Sequence, residues 1–330
     1  MNRAAARELT LRLGALAVAV VLVGAQAPER AEGALSGSLA TPPQLQEQEG
    51  EDQAGARGPS PAPWDSDPGA LPPEVARLAY NVRTLPLPQR IGAISELFLE
   101  RPYQDGCAGE GSGFDPDPPA RYDVFDCVTF IEEVLALALA PDPAWVGWYR
   151  TALRFHGGVP TYQARNHFFV MQWIQHNLQE GFLRDVTSEL GEPVWIEREI
   201  TAATYDAWRR RDRFPLADED LPQGTMRLPV LGLEQARAVV DRIPLGALIV
   251  TVRIPLEHIP IVVTHVGFTV PADEPTMRHA TRMGDGRVRD DSLAWYIEHL
   301  ESYTNWPVAG ISVLVPQEQG PRLVSSPPEP

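Results

Sequence analysis

A cysteine stands at the predicted start of an apolar helix, in the segment YDVFDCVTFIEEVLALALA, and the chain has one other cysteine. Asp126 is a residue type that caps helices, so Cys127 falls in the first turn, where free backbone N–H groups favour a thiolate. The helix dipole contributes only about 0.3–1 kcal/mol at an exposed site. The negative charges of Asp126, Glu132 and Glu133 oppose this stabilisation of the thiolate. A nucleophilic Cys127 therefore needs a cationic or basic partner.

Two histidines on neighbouring predicted strands are candidates to serve this cysteine. His265 lies in VVTHVGFTV and could hold the thiol proton, while His279 in MRHAT could orient its imidazole. If the intervening hairpin is symmetric about Ala272, the two histidines lie directly opposite, with Cβ atoms about 4.5–5.5 Å apart. A packing role for either histidine is one alternative. A zinc site of Cys127, His265 and His279 is another, although closely spaced ligand pairs are absent.

The first 27 residues have the layout of a secretory signal peptide, with arginines, a short apolar run and small residues at Ala25 and Ala27. The apolar run is too short for a permanent membrane span. We therefore predict a periplasmic or secreted protein without stable membrane insertion after cleavage; a membrane-anchored N-terminus is the alternative. Export would place Cys107 and Cys127 in an oxidising compartment, where a disulfide between them competes with a reactive thiol.

Composition divides the rest of the chain. Residues 28–72 are rich in Pro, Gly, Ala, Ser, Gln and Glu and predict a disordered linker, and residues 317–330 predict a similar tail. Residues 73–316 then form the folded domain. The net charge of −16 argues against nucleic acid or anionic lipid as a partner, because the electrostatic interaction would be repulsive.

Within this domain, helical periodicity precedes strand periodicity. Helices are predicted for PEVARLAYNVRTL, LPQRIGAISELFLERPY, the Cys127 segment and TYQARNHFFVMQWIQHNLQEG, whereas residues 185–237 give no clear pattern. Strands are predicted for LGALIVTVR, IVVTHVGFTV, TMRHAT and VAGISVLVP, and GRVRDDSLAWYIEHL predicts a turn and a helix. The order predicts an α+β fold, with N-terminal helices packed on a mostly antiparallel sheet.

Five segments in order resemble the N-acetylmuramoyl-L-alanine-amidase-like branch of the NlpC-type cysteine hydrolases: FDCVTFIEEVLALA, RNHFFVMQWI, DVTSEL, THVGF and RHAT. The resemblance covers about residues 88–315 and implies a papain-like core. It also implies that Cys127 is the nucleophile, His265 the base and His279 the orienting residue. No metal or organic cofactor is needed for the implied reaction.

The same resemblance implies residues that contact substrate. The PY segment implies that Tyr103 lies at the site, where its phenol could donate to an oxyanion, with a packed tyrosine as the alternative. The RNHF segment implies that Arg165, Asn166 and His167 line the cleft. Arg165 could meet a peptide carboxylate bidentately, or be an ordinary exposed helix charge.

The implied reaction is amide hydrolysis through a thioester, with peptidoglycan or muropeptides as substrate and the N-acetylmuramoyl–L-alanine bond favoured. A stem-peptide endopeptidase, an inactive cell-wall-binding module and an acyltransferase or lipid hydrolase are the alternatives. If Cys127 and His265 form an ion pair, activity should be bell-shaped in pH. The sequence departs from related enzymes at Gly246-Ala247, where those often have Gly-Asp before the strand that carries the base.

Overall fold

The computed structural model describes residues 70–318. The signal peptide predicted for residues 1–27, the linker up to residue 69 and the tail beyond Glu318 lie outside the described residues. The first helix begins at Pro73 and the last strand ends at Pro316. Within the described residues, no helix combines the length and apolar character that a membrane span requires.

The first half of the described chain contains more helix than strand. Their N-terminal caps follow from the sequence: prolines open the first two helices, and Asp126 opens the third. The α-helices are α1 Pro73–Val82, α2 Leu87–Glu96, α3 Cys127–Leu139, α4 Val146–Arg154, α5 Gln175–Gln179, α6 Thr187–Leu190, α7 Ala202–Asp206, α8 Leu233–Ala238 and α9 Leu293–Leu300.

The helix predicted for TYQARNHFFVMQWIQHNLQEG forms only in its second half. A π-helical segment, Phe169–Ile174, leads directly into α5. Residues 161–168 stay irregular because their backbone groups bond elsewhere, for example the N–H of Asn166 to the carbonyl of Arg154 at 2.9 Å. The RNHF motif therefore lies on a loop that leads into the π-helix.

The strands form a six-stranded sheet in the order β1-β8-β4-β5-β6-β7, with antiparallel neighbours, and a separate antiparallel pair of β2 and β3. The prediction of a mostly antiparallel sheet is confirmed. The segment GRVRDDSLAWYIEHL, predicted as a turn and a helix, contains the predicted helix as α9, but a strand, β7, precedes it where no strand was predicted. The strands are β1 Leu183–Asp185, β2 Val194–Ile200, β3 Gly224–Val230, β4 Leu248–Arg253, β5 Val263–Val270, β6 Thr276–Thr281, β7 Arg287–Ser292 and β8 Val308–Pro316.

Each face of the six-stranded sheet is covered by helices. Val250 and Phe268 belong to the hydrophobic cluster that includes Phe130 of α3, whereas Ile249 belongs to the cluster that includes Ile297 of α9. Burying one such side chain contributes about 1.5–3 kcal/mol. Helix α3 is therefore fixed against one face of the sheet, with its N-terminal end beside β5.

The β5–β6 hairpin has a different register from the predicted one. Thr269 pairs with Met277 and Phe268 with Arg278, so the hairpin is symmetric about Asp273 rather than Ala272. The predicted register is therefore wrong by two residues. Because side chains alternate with a period of two, an even shift leaves every side chain on its predicted face.

Candidate active site

A complete capping box fixes Cys127 as the first residue of α3. The Oδ1 atom of Asp126 accepts from the N–H groups of Val128 and Thr129 at 2.9 and 2.7 Å, and the Thr129 hydroxyl accepts from the N–H of Asp126 at 2.9 Å. The N–H of Cys127 is left out of this box and helps to lower the pKa of its own thiol. The helix therefore opens with one free N–H beside the thiol.

The sulfur of Cys127 lies against the middle of the sheet. The backbone N–H of Val266, the residue directly after His265, favours the thiolate and so opposes the rise in the pKa of Cys127. The β5–β6 ladder ends at Phe268 and Arg278, which leaves this stretch of the β5 edge open for the helix start. The packing of α3 on β5 thus places Cys127 next to the backbone of the residue that follows His265.

Three side chains form a hydrogen-bonded chain across β5, β6 and β7, which we call the imidazole relay. His265 Nε2 lies 2.7 Å from His279 Nδ1, and His279 Nε2 lies 3.0 Å from Asp291 Oδ2. Asp291 also accepts from Arg289 Nε at 3.0 Å. His279 is fully buried and Asp291 nearly so. The relay thus joins a buried carboxylate to the imidazole of His265.

A glycine makes the two imidazoles neighbours. In the observed register His279 lies beside Gly267, and His265 is its diagonal neighbour on the same face. A Cβ atom at position 267 would lie only 2.6 Å from the Cβ of His279 and 2.7 Å from the carbonyl oxygen of Arg278. A larger residue would therefore push β6 away and separate the rings.

The proton positions in the relay follow from its acidic end. Burial alone would raise the pKa of Asp291, but hydrogen bonds from His279 and Arg289 lower it below its usual value. The carboxylate can only accept, so His279 Nε2 carries a proton and its Nδ1 is an acceptor. His265 then donates from Nε2, which leaves its Nδ1 lone pair free to take a proton.

The resting state differs from the expected ion pair. Burial raises the pKa of Cys127 to about 12, and Asp126 adds to that effect. Burial, together with the neighbouring His279, holds the pKa of His265 well below its usual value of 6.5, although Asp291 opposes the shift. Both shifts favour a neutral thiol beside a neutral imidazole. The proton must therefore move when the sulfur reacts.

The carboxylates farther along α3 do not oppose the thiolate, contrary to the sequence-based expectation. Glu132 pairs with Arg154 and Glu133 with Arg150, each at 2.7 Å, and all four side chains are nearly or largely buried. Glu132 also accepts from the indole of Trp173 at 2.9 Å. We call these two pairs the ion-pair cluster. Its charges are compensated locally.

Tyr103 lies close enough to Cys127 for the two side chains to interact electrostatically. Its N–H donates to the carbonyl of Gly286 at 2.8 Å, and the guanidinium of Arg282 lies 5.2 Å from its ring centre. Burial, and next the charge that Cys127 would carry as a thiolate, raise the pKa of Tyr103. The phenol therefore keeps its proton and donates it to Asp105 Oδ1 at 3.3 Å.

Arg165 makes internal contacts that leave little of its guanidinium for a substrate. Its Nη1 lies 3.3 Å from a Glu110 oxygen and 3.2 Å from an Asp115 oxygen, and its Nη2 donates to the carbonyl of Ala108 at 2.7 Å. Arg165 thus fastens the glycine-rich loop to the loop before the π-helix. The substrate carboxylate expected at this residue would compete with two carboxylates of the protein.

The next two residues of the RNHF motif are also directed inward. His167 Nε2 lies 2.7 Å from the carbonyl of Tyr162, and burial lowers the pKa of His167 to about 4. The side-chain nitrogen of Asn166 is buried and has no hydrogen-bond partner within residues 70–318. His167 thus donates to the backbone as a neutral imidazole, while Asn166 retains an unused donor.

Both cysteines are free thiols in this structure. The Cys107 sulfur is buried 3.3 Å from the Thr129 hydroxyl, and burial raises its pKa. Among the described residues, no group of three or more His, Cys, Asp or Glu side chains is placed to hold a metal ion. The facing ring nitrogens of His265 and His279 bond each other, which is the arrangement of a relay.

The sequence analysis missed two residues of the site. Asp291 lies on β7, which was not predicted because the charged residues of RVRDDS do not give the usual strand pattern. The Gly-Asp-Gly sequence before β7 is nevertheless typical of a hairpin turn. Tyr296 on α9 packs edge-on against His279, with ring centres 5.5 Å apart, and its hydroxyl lies 2.7 Å from that of Thr251. No local sequence signal marks Tyr296, because its position depends on how α9 packs on the sheet.

Comparison with known proteins gives a family match and several similar structures. The AmiA-like family model, described as N-acetylmuramoyl-L-alanine amidase-like, matches residues 93–303. A crystal structure of a Legionella pneumophila protein of the DUF1460 family model has a TM-score of 0.65 at 24% identity, covering 74% of this chain and 93% of that chain. An N-acetylmuramoyl-L-alanine amidase from Bacteroides uniformis has a TM-score of 0.58 at 20% identity, covering 70% and 99%.

A putative xylanase from Bacteroides fragilis is also similar, with a TM-score of 0.55 at 21% identity, covering 67% of this chain and 98% of that chain. No curated protein sequence matches the chain. At these identities the structural likeness shows the fold alone. The family model, in contrast, spans well over half of the sequence and includes Cys127, His265, His279 and Asp291. The chain therefore belongs to the AmiA-like family of N-acetylmuramoyl-L-alanine amidase-like proteins.

Proposed function

We propose that this protein is a cysteine hydrolase with a papain-like, NlpC-type core that cleaves the amide bond between N-acetylmuramic acid and L-alanine in peptidoglycan. The observation that carries the proposal is the series of hydrogen bonds from Asp291 through His279 to His265, with Cys127 at the start of α3 next to the backbone of Val266, the residue after His265. Membership of the AmiA-like family supports the class of bond.

The first step uses the proton arrangement of the relay. His265 takes the thiol proton on Nδ1 as the sulfur of Cys127 attacks the amide carbon, so charge separation develops only during the reaction. The imidazolium is stabilised by the carboxylate of Asp291, to which His279 connects it by accepting from His265 and donating to Asp291. His265 then returns the proton to the leaving amine, and a thioester remains on Cys127.

Two donors are in place for the oxyanion that forms in this step. The N–H of Cys127 is free of the capping box, and the phenol of Tyr103 stays protonated. The same donors serve when water, deprotonated by His265, hydrolyses the thioester. Every step therefore uses side chains and backbone groups of the chain itself.

The predicted signal peptide supports export to the periplasm or the exterior, where peptidoglycan is found. The net charge of −16 disfavours polyanionic partners such as nucleic acid. Export can be checked by sequencing the N-terminus of the mature protein recovered from its host. A mature chain that retains Met1 would contradict it.

The test of the reaction is mass spectrometry of purified sacculi digested with the wild-type protein and with Cys127→Ala. We expect the wild type to release peptides with a free N-terminal L-alanine, and Cys127→Ala to release none. Products that keep L-alanine and D-glutamate on muramic acid would assign a stem-peptide endopeptidase. Binding of sacculi by both proteins without any product would assign an inactive binding module.

A chemical test separates the cysteine mechanism from a metal mechanism. We expect iodoacetamide to abolish product release and EDTA to leave it intact, because Cys127 is the nucleophile in the proposal. A loss with EDTA that zinc restores would contradict the proposal and favour a metal held by Cys127, His265 and His279.

A further inference from the structure

We propose that Arg253 is a specificity-determining residue that binds a carboxylate on the peptide released from the scissile amide. The inference rests on the proposed function and adds the part of the substrate that is recognised. It concerns the end of β4, next to the strand that carries His265.

The register of the sheet places Arg253 close to the base. Thr251 pairs with His265, and a bulge in β5 then brings Val252 opposite Val263. The bulged residue is Thr264, whose exposed side chain accepts a hydrogen bond from Arg253 Nε at 3.0 Å. The guanidinium is thus bonded to the residue directly before His265.

The guanidinium is held rigidly by neutral groups. Arg253 Nη1 donates to the carbonyl of Trp306 at 2.6 Å, and the guanidinium carbon lies 4.2 Å from the ring centre of Tyr303. These contacts fix the plane of the guanidinium without neutralising its charge. Arg253 Nη2 has no partner in residues 70–318, which leaves it for an acceptor from outside.

No carboxylate within the described residues pairs with Arg253. Burial lowers the pKa of Arg253, and the groups that oppose this shift are Tyr303 and Tyr296 rather than an acid. Other arginines around the site are compensated: Arg165 by Glu110 and Asp115, and Arg282 by Asp105. A partly buried, uncompensated cation is costly unless an anion joins it.

The chemistry of the substrate says where such an anion can come from. In an N-acetylmuramoyl–L-alanine linkage the carboxyl group of muramic acid is consumed in the amide bond. A free carboxylate near this bond therefore belongs to the peptide, which leaves as the amine product. A planar guanidinium with a free Nη2 suits a carboxylate better than a sugar hydroxyl.

The experiment compares two probes: N-acetylmuramoyl-L-alanyl-D-glutamate, and the same compound with both carboxylates converted to carboxamides. Binding is measured by calorimetry on Cys127→Ala, so that neither probe is consumed. We expect the carboxylate probe to bind more tightly than the carboxamide. Adding Arg253→Met should lower the affinity for the carboxylate probe by about 10- to 100-fold. It should change the affinity for the carboxamide probe by less than about threefold.

Two further variants separate recognition from a structural role. Thr264→Val removes one neutral partner of the guanidinium and keeps the charge, so preference for the carboxylate should persist. Arg227→Met removes an arginine that also stacks on an aromatic ring, at 4.0 Å from Trp195, but pairs with Glu197. This matched control should change neither affinity.

If Arg253→Met lowered the affinity for both probes equally, the inference would be overturned and Arg253 would have a structural role. The absence of any preference for the carboxylate probe in the Cys127→Ala protein would overturn it as well. Turnover of the carboxylate probe by the otherwise wild-type enzyme reports separately on the proposed function. A protein that binds the carboxylate through Arg253 but releases no L-alanyl product would refute the function and keep the inference.

Discussion

The imidazole relay and the ion-pair cluster are two groups of buried polar side chains that meet the same helix. In the ion-pair cluster each carboxylate of α3 has its own arginine, so every charge is compensated where it lies. In the region of the relay, Cys127 and His265 are neutral at rest. His265 is held by a hydrogen bond to His279 and not by an ion pair. One region holds fixed charges, and the other holds protons that can move.

This difference separates a structural role from a chemical one. Removing one partner of a buried ion pair leaves the other charge uncompensated, at a cost of about 3–5 kcal/mol. Removing a neutral thiol leaves no buried charge. The two regions should therefore respond in opposite ways to substitution: the relay through the rate of reaction, and the ion-pair cluster through the free energy of unfolding.

Cys127→Ala should have the largest effect. We expect kcat to fall by at least about 10,000-fold, because the nucleophile is lost, while the unfolding temperature stays within a few degrees of the wild type. Product release from muropeptides and thermal unfolding measure the two quantities. Substantial residual activity would move the chemistry to another group and remove the distinction between the two regions.

Glu132→Gln should show the opposite pattern. The side chains of Glu132 and Arg154 are 3% and 2% exposed, so the variant buries a guanidinium that has lost its carboxylate. We expect unfolding to require about 3 kcal/mol less, with an unchanged rate for the protein that remains folded. Urea denaturation gives the difference in free energy.

The matched control for this variant is Glu197→Gln, which breaks an exposed pair with Arg227 in which both side chains are more than half exposed. It should change the free energy of unfolding by less than about 0.5 kcal/mol. A similar loss in both variants would mean that burial of the ion-pair cluster has no special weight in stability.

Asp291→Asn tests whether the acidic end of the relay sets the proton positions. An amide can donate as well as accept, so it permits the reverse tautomer of His279 and places a proton on His265 Nδ1. We expect kcat to fall by about 100-fold, less than for a carboxylate that bonds the catalytic imidazole directly.

Asp290→Asn is the neighbouring control, since Asp290 pairs with Arg278 at 2.7 Å and lies outside the relay. Its kcat should match that of the wild type. If both variants lose activity equally, the effect comes from distortion of β7 and not from the tautomer of His279.

The pH profile is the smallest and most specific test. Because the pKa of His265 lies well below 6.5 and that of Cys127 is about 12, both groups keep their resting protonation between these values. We expect kcat/KM to be level from pH 6.5 to 9 and to fall only as acid protonates His265. A decline between pH 7 and 9 would instead support a preformed thiolate–imidazolium pair.

Several features of the site were predictable from sequence because they are local. The capping pattern of Asp126 and the apolar run after it predict where α3 begins, and that fixes Cys127 in the first turn. Strand periodicity predicts β4, β5, β6 and β8, and with them the faces of His265 and His279. These features depend on residues that are close in sequence.

Other features depended on contacts between distant segments. The hairpin register was off by two residues, since Gly267 and the packing around it decide the pairing. Asp291 joined the relay because β7 pairs with β6, and the charges of β7 hide its strand character. The sequence alone could not indicate that Arg165 is engaged by two acids while Arg253 pairs with none of the acids in residues 70–318.

The sequence by itself determined which residue types could react and the local elements that carry them. Only the tertiary structure decided which of the buried charges are compensated. Charge compensation is a sum over neighbours brought together from separate helices and strands, and a carboxylate or guanidinium looks the same in sequence whether its partner is present or absent. The protonation state of Cys127 and His265 follows from that sum.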